Sequence, residues 1–303
     1  MKVVFAGAGA VGCHYGSRLQ QAGDEVLFLA RGKHLSAMQQ HGLLHESEGE
    51  VLCLTVQATD DPAVVCDADV VIFSCKMTSL RKMIQSMDGK VSPDSLLITM
   101  QNGVEAPEWV ASAFPEHAVA AATAFIGARL EGSGHVVHSA AGGVRLGLWQ
   151  VGAGSKHLRA LVEQFNAGGV PARMDGDPAA MLWRKLLWNT GFNAITAITR
   201  RFASQMCEFD ETLAIVSDAM QETVAVAQAE GIAIGESDIY SHIDVTRRMG
   251  PVKTSMWQDI EAGHRTEVDY LNGLVVSRGE KHGIGTPVNR MLVSLVHAIE
   301  VQS

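Results

Sequence analysis

The sequence predicts an α/β protein. An N-terminal domain over residues 1–174 alternates strands and helices around a mainly parallel sheet, and an all-helical domain follows over 175–303. Three observations carry this. The apolar run Val3-Val4-Phe5 leads straight into the glycine-rich stretch Gly7-Ala8-Gly9-Ala10-Val11-Gly12. Short apolar runs bounded by turn residues recur to about residue 150. From Pro178 onward the apolar positions repeat with the 3.6-residue period of a helix, and strand signals almost vanish.

The first run is β-prone and apolar throughout, as a strand buried on both faces must be. Residues 10–22 read as a helix stopped by Gly23, which suits the left-handed position just past a helix end, and residues 25–30 return as a second strand. In that order the three glycines acquire a mechanism. Gly7 makes the tight turn, Gly9 lets the backbone approach a pyrophosphate, and Gly12 lets helix and sheet pack closely. The helix start at Ala10 and Val11 adds unpaired N–H groups and a partial positive charge. The expected cofactor is therefore a dinucleotide on a Rossmann-type domain. The second strand ends in LFLARGKH, with no carboxylate to bond a ribose 2′-hydroxyl. Arg31 and Lys33, with His34 beside them, suit a 2′-phosphate, so NADPH is expected over NADH. The competing reading of this segment is an exposed basic loop.

Further strands are expected at 51–56, 70–74, 96–100 and 119–125, and a hairpin over 134–149 turning at Ala141-Gly142-Gly143. A helix near 155–167 and the turn VPARMDGD close the first domain. The second opens where Asp177 can cap and Pro178 can begin a long helix, AAMLWRKLLWNTGFNAITAIT. That helix is apolar nearly all round and so should be buried. Lys185, Asn189 and Asn193 interrupt it at i, i+4 and i+8, one polar stripe on a mostly apolar rod. An amine and two amides on one line are expensive to bury without partners, which points to a functional site over a structural network.

Other polar groups fall on loops. Lys76 lies just past the strand VVIFS and Asn102 just past LLITM, at the carboxyl ends where open α/β sheets bind ligands. Singly, Lys76 reads as solvated surface and Gln101-Asn102-Gly103 as a turn; in one crevice they read as ligand contacts. In TSMWQDIEAGHRTEVDYLNG, Ser255 and Gln258 form a capping-box pattern. Ser255 is thus either an ordinary cap or a carboxylate contact at a helix start, and Glu267 either a first-turn acid or a site residue.

Composition narrows the function classes. Hydrophobic residues at 47%, charged residues at 19% and a formal net charge of −9 describe an ordinary globular protein with no general affinity for nucleic acid or anionic membranes. No span is long and apolar enough for a membrane helix or a signal peptide. The five cysteines form no C-x-x-C pair and read as reduced, mostly buried thiols of a cytoplasmic protein. The twelve histidines suggest metal, but the pairs His41/His45 and His135/His138 lie in polar segments and read as solvated loop and strand-edge residues, so no metal site is expected.

Taken in order, GAGAVG, Lys76, Gln101-Asn102-Gly103, Trp183-Arg184-Lys185-Leu186 with Asn189 and Asn193, Ser255-Met256 with Asp259, Glu267 and Asp269-Tyr270-Leu271-Asn272-Gly273 resemble the ketopantoate reductase (2-dehydropantoate 2-reductase) family along the whole chain. The resemblance implies NADPH-dependent reduction of a 2-oxo acid, foremost ketopantoate to pantoate as in pantothenate biosynthesis. The cofactor would lie in the cleft between the two domains. It implies Lys185 as general acid, with Glu267 as a catalytic and substrate contact. Lys76 and Asn102 would lie at the nicotinamide ribose and substrate, with Asn189, Asn193 and Ser255 on the substrate. A small 2-oxo acid is the expected partner, with no nucleic acid or membrane, and a homodimer is the assembly considered. Two positions depart from the family pattern. Val252 stands where an asparagine commonly precedes the motif serine by three residues, and Ala203 where some members carry another. Lysine-plus-asparagine helices occur also in 3-hydroxyacid dehydrogenases of the 6-phosphogluconate type; the QNG and S-M-x-x-D segments favour the ketopantoate type. The competing readings are a family member acting on a different 2-oxo acid and an NADPH-binding regulator without turnover.

Overall fold

The computed structural model describes residues 1–300 as two compact units, one of residues 1–101 and 105–178, the other of 102–104 and 179 onward. In the first unit, β1 (Lys2–Ala6), β2 (Glu25–Leu29), β3 (Leu43–Ser47), β4 (Glu50–Leu54), β5 (Gln57–Thr59), β6 (Val70–Phe73), β7 (Leu96–Thr99), β8 (Ala118–Gly132), β9 (His135–Gln150) and β10 (Ala172–Met174) join in one sheet. Its helices are α1 (Ala10–Gln21), α2 (Gly32–His41), α3 (Met77–Ser86), α4 (Ala106–Ala113) and α5 (His157–Ala167). The strand order is β4-β3-β9-β8-β7-β6-β1-β2-β5, with β10 beside β9.

The centre of the sheet is parallel: β1 pairs with β2 and β6, and β6 with β7. Val3 to Ala6, Val70 to Phe73 and Leu96 to Ile98 are fully buried. Burial on both faces is why these strands read as unbroken apolar runs. Beyond β7, β8 runs parallel to it and β9 returns antiparallel to β8.

The hairpin expected within 134–149 does not form. Residues 135–150 are a single strand, and the chain turns at Ser133-Gly134 instead. Ala141-Gly142-Gly143 is a β-bulge: Phe125 pairs with Gly143 and Ile126 with Ala141, so Gly142 has no opposite residue. Ala141 and Gly142 take positive φ, 57° and 119°. A bulge and a tight turn draw on the same backbone freedom, so the glycine pair alone did not separate them.

The bulge turns its carbonyls onto buried side chains. Tyr15 Oη donates to the Gly142 carbonyl at 3.0 Å, and His138 Nε2 to that of Ala141 at 2.9 Å. His138 Nδ1 thereby accepts from Ser47 Oγ at 2.8 Å, and Ser47 Oγ accepts from Arg18 Nη2 at 2.8 Å. His14 of α1 stacks 4.2 Å from the His138 ring, its Nδ1 lying 3.0 Å from His45 Nε2. His45 and His138 are thus 2% and 9% exposed, not the solvated residues expected. The alternation of β3 turns Leu43, His45 and Ser47 inward together, a period-2 signal that the surrounding polar residues masked. Nor are the cysteines mostly buried: Cys13 and Cys207 are, Cys75 is intermediate, and Cys53 and Cys66 are exposed, because β4 is an edge strand and Cys66 sits in a surface turn.

The second unit is helical: α6 (Pro178–Thr199), α7 (Asp210–Ala229), α8 (Glu236–Arg247), α9 (Ser255–Glu261), α10 (Asn272–His282) and α11 (Pro287–Glu300). Helix α6 buries most of its residues. A polar network ties the others to it. Asn272 Nδ2 donates to the Thr190 carbonyl and to Asn289 Oδ1, each at 2.9 Å. Asn289 Nδ2 donates to Glu222 Oε2 at 2.7 Å, and the Glu222 carboxylate accepts the first backbone N–H groups of α11. No helix among the described residues is long and apolar enough to cross a membrane.

Burial lowers His14 to about 2 and His45 to about 4, with His138 and Arg18 adding to the effect in both. Both folded values lie below the 6.5 of an ordinary histidine, so below that pH the unfolded chain binds more protons than the folded one. Stability is therefore full above pH 6.5 and falls as the pH drops toward 4 and beyond, by up to about 1.4 kcal/mol per pH unit for each histidine. Thermal melts from pH 8 to pH 4 are expected to show this decline, made shallower by His45→Gln. An unchanged acid slope in that variant would place the loss elsewhere.

Candidate active site

In the first unit the glycine turn lies between β1 and α1. Gly7 has φ +122°, and a Cβ there would stand 2.6 Å from the Cys75 backbone nitrogen. A Cβ on Gly12 would stand 2.3 Å from the Gly7 carbonyl oxygen and 2.6 Å from Ser74 Oγ. A Cβ on Gly9 would meet nothing within 4 Å, and its backbone is ordinary extended chain. Gly7 and Gly12 thus serve the fold, whereas Gly9 keeps a space open beside the start of α1, with Ala10 and Val11 half-buried behind it. Such a space suits a pyrophosphate. Sequence reasoning missed Ser74, which donates to the Gly7 carbonyl at 2.7 Å and holds the turn in place.

Arg31 caps the start of α2 with extended backbone, and Arg31 and Lys33 are exposed in its first turn. His34 is committed otherwise. Its Nδ1 accepts the Gly134 backbone N–H at 3.0 Å and its Nε2 lies 3.6 Å from Cys13 Sγ. Lys76 is exposed at the N-cap of α3, following β6. Gln101, next to Asn102 in sequence, donates to the carbonyls of Phe73 and Cys75 at 2.9 and 3.1 Å, which cross-links the ends of β6 and β7.

In the second unit the polar stripe of α6 is buried: Lys185 is 9%, Asn189 4% and Asn193 1% exposed. Asn189 Nδ2 and Asn193 Oδ1 have no hydrogen-bond partner among the described residues. Buried amide atoms left unpaired are destabilising, by about 1–3 kcal/mol each, unless a ligand or water satisfies them. Glu267, 8% exposed, accepts from Asn102 Nδ2 at 3.2 Å and lies within electrostatic reach of Lys185. Burial pulls the Lys185 ammonium down to about 8, against the opposing pull of the Glu267 carboxylate. Asn102 and Glu267 therefore meet, with Lys185 in the field of the carboxylate.

Glu267 does not begin a long helix; it heads the short turn Val268–Tyr270. That turn is fixed from two sides. Thr266 N–H donates to Glu300 Oε1 at 2.7 Å, and a Cβ on Gly103, whose φ is +93°, would stand 3.0 Å from the Tyr270 carbonyl oxygen. Gln101-Asn102-Gly103 is thus a turn whose glycine is required and whose asparagine reaches Glu267.

Ser255 is the first residue of α9 and is exposed, but the cap is Thr254, whose Oγ1 accepts the Trp257 N–H. The capping box read from Ser255 and Gln258 does not form, since Gln258 Nε2 donates to the Lys253 carbonyl. The cap falls one residue earlier because Thr254 also bonds Thr196 on α6 at 2.7 Å. Thr196 was missed although a signal existed: it lies eleven residues, three helical turns, beyond Lys185 on the same face. Val252 is half-buried and Ala203 buried ahead of the turn Ser204–Cys207. No group of three or more His, Cys, Asp or Glu among the described residues could hold a metal ion.

A βαβ glycine turn in one unit, and a buried lysine beside a carboxylate in a helical other, are the parts of an oxidoreductase that uses a nicotinamide dinucleotide. The comparisons make this specific. The model of the family described as "Ketopantoate reductase PanE/ApbA" matches residues 3–150, and that of its C-terminal region matches 177–300. The chain belongs to the ketopantoate reductase family. A 2-dehydropantoate 2-reductase of Halobacterium salinarum is 30% identical over 298 residues, 98% of each chain. A PanE/ApbA family ketopantoate reductase of Ralstonia eutropha JMP134 superposes with a TM-score of 0.91 at 35% identity, covering 100% of this chain and 99% of that one. A D-mandelate dehydrogenase in ternary complex with NADH and anilino(oxo)acetate gives 0.93 at 26% identity, with the same coverage.

The glycines yield a paired expectation. Gly9→Ala should melt within a few degrees of the parent yet bind dinucleotide at least ten-fold more weakly, while Gly12→Ala should lose stability outright. Fluorescence titration and thermal melts separate the two; a Gly9→Ala protein that binds normally would remove the pyrophosphate from that space.

Proposed function

We propose that the protein reduces a 2-oxo acid to the 2-hydroxy acid with NADPH, ketopantoate being the leading substrate. The observation that carries this is the buried pair Lys185 and Glu267 with half-buried Asn102 on the carboxylate, continued along α6 by two amides with unpartnered atoms. The family membership and the full-length likeness to 2-dehydropantoate 2-reductases support the same chemistry.

Gly7, Gly9 and Gly12 with the start of α1 would hold the pyrophosphate of a nicotinamide dinucleotide, which would supply the hydride for the carbonyl carbon. The oxygen left as alkoxide needs a proton, and Lys185 gives it from Nζ. Its place on a rigid buried helix fixes its direction, and its lowered pKa keeps it a competent donor near neutral pH. Glu267, held by Asn102, favours the ammonium form between turnovers and accepts a substrate hydroxyl. Asn189 and Asn193 offer a donor and an acceptor to the substrate, and Ser255 contacts its carboxylate. Arg31 and Lys33, exposed at the start of α2 with no acid beside them, support NADPH over NADH, with Lys76 contributing to cofactor or substrate. The same reaction on a bulkier 2-oxo acid is the second reading. It is favoured by the likeness to the D-mandelate dehydrogenase and by Val252 and Ala203, which offer no side-chain amide.

A panel of ketopantoate, ketoisovalerate and bulkier 2-oxo acids, followed by NADPH oxidation, tests the proposal; ketopantoate should give the highest kcat/KM. Lys185→Ala should lower kcat about 10²-fold or more with near-normal NADPH binding. The parent rate should fall above about pH 8, where the lysine loses its proton. Ordinary turnover by the variant would move the proton donor elsewhere. Titration with both dinucleotides should show tighter NADPH binding, a preference lost in Arg31→Ala; equal affinities in the parent would overturn the assignment.

A further inference from the structure

The polar stripe of α6 does not end at Asn193. Thr196, fully buried, extends it, and its hydroxyl lies 3.0 Å from the Asn193 carbonyl and 2.7 Å from Thr254 Oγ1. The direction of these bonds follows from valence. The carbonyl only accepts, so the single hydroxyl hydrogen of Thr196 goes to Asn193; the hydrogen between the two threonines must then come from Thr254. Thr254 Oγ1 in turn accepts the Trp257 N–H at 3.4 Å. The result is one directed chain: Trp257 N–H to Thr254, Thr254 O–H to Thr196, Thr196 O–H to the carbonyl of Asn193.

We propose that Thr196 is a positioning residue that, through Thr254, fixes Ser255 relative to Lys185, Asn189 and Asn193 and so sets how well the carboxylate of the 2-oxo acid is held. The inference rests on the proposed reaction. The chain ends on the residue whose side-chain Oδ1 is unpartnered and starts on the first turn of the helix that Ser255 opens. Ser255 follows Thr254 directly, and its own hydroxyl has no bond among the described residues to hold it. The segment ahead of it, residues 248–253, is irregular chain and supplies no ladder of its own. Without the Thr196 hydroxyl, Thr254 loses its acceptor in a buried place and must turn, taking the α9 cap with it. Thr196 lies three helical turns from the proton donor along α6, so its loss weakens carboxylate binding and leaves proton delivery in place.

Thr196→Val keeps the shape and removes the hydroxyl; Thr196→Ser keeps the hydroxyl. Steady-state kinetics with the best 2-oxo acid of the panel should show KM for the acid raised about ten-fold in the valine variant, with kcat within about three-fold of the parent and NADPH affinity unchanged. The serine variant should restore KM. Thr196→Ala carries the same expectation and replaces the valine variant should that fail to fold. An unchanged KM in the folded variant, or equal losses in kcat, KM and NADPH affinity that serine does not rescue, would overturn the assignment while the reductase reading stands. Parent protein that turns over no 2-oxo acid removes the reading and the latch together.

Discussion

The second unit is organised around a buried amine. Lys185 sits on a mostly buried helix, and desolvation opposes its charge. The neighbouring groups compensate. Glu267 supplies the opposite charge, Asn102 orients Glu267, and the turn carrying Glu267 is fixed by Glu300 and by the close approach of Gly103. Farther from the amine, Asn272, Asn289 and Glu222 bind α7, α10 and α11 to the same rod.

The elements most legible in sequence were those whose local signal and tertiary role coincide. β1, β6 and β7 are buried on both faces, so their apolar runs were unambiguous, and α6 begins at Pro178 because proline suits a first helical turn. The stripe at 185, 189 and 193 followed from helical period alone. What was illegible depended on partners far along the chain. Ala141-Gly142-Gly143 carries the composition of a turn, and only its register opposite β8 makes it a bulge. His45 and His138 lie among polar neighbours; that they meet over α1 depends on β3 pairing with β9 at a separation of some ninety residues. The cap of α9 moved to Thr254 because of a threonine fifty-eight residues earlier.

Two buried polar clusters, one in each unit, differ in how far they are satisfied. In the first, the Arg18-Ser47-His138 chain and the His14-His45 pair satisfy one another, and the chain ends on the backbone of the bulge. In the second, along α6, satisfaction is incomplete: Asn189 Nδ2 and Asn193 Oδ1 have no partner among the described residues. A closed network adds rigidity, and an open one marks where a ligand completes the count.

Residues 102–104 belong to the helical unit although some seventy-five residues of sheet and helix separate them from Ala179. The unit that bears Lys185 is therefore discontinuous in the chain. A gene fragment starting at residue 179 would encode the amine and its carboxylate but not the amide that bonds that carboxylate, nor the glycine against Tyr270. Recombination at the apparent boundary would exchange the helices while leaving one of their side chains behind. Chimeras between family members should accordingly carry the Gln101-Asn102-Gly103 loop and the helical half from the same parent.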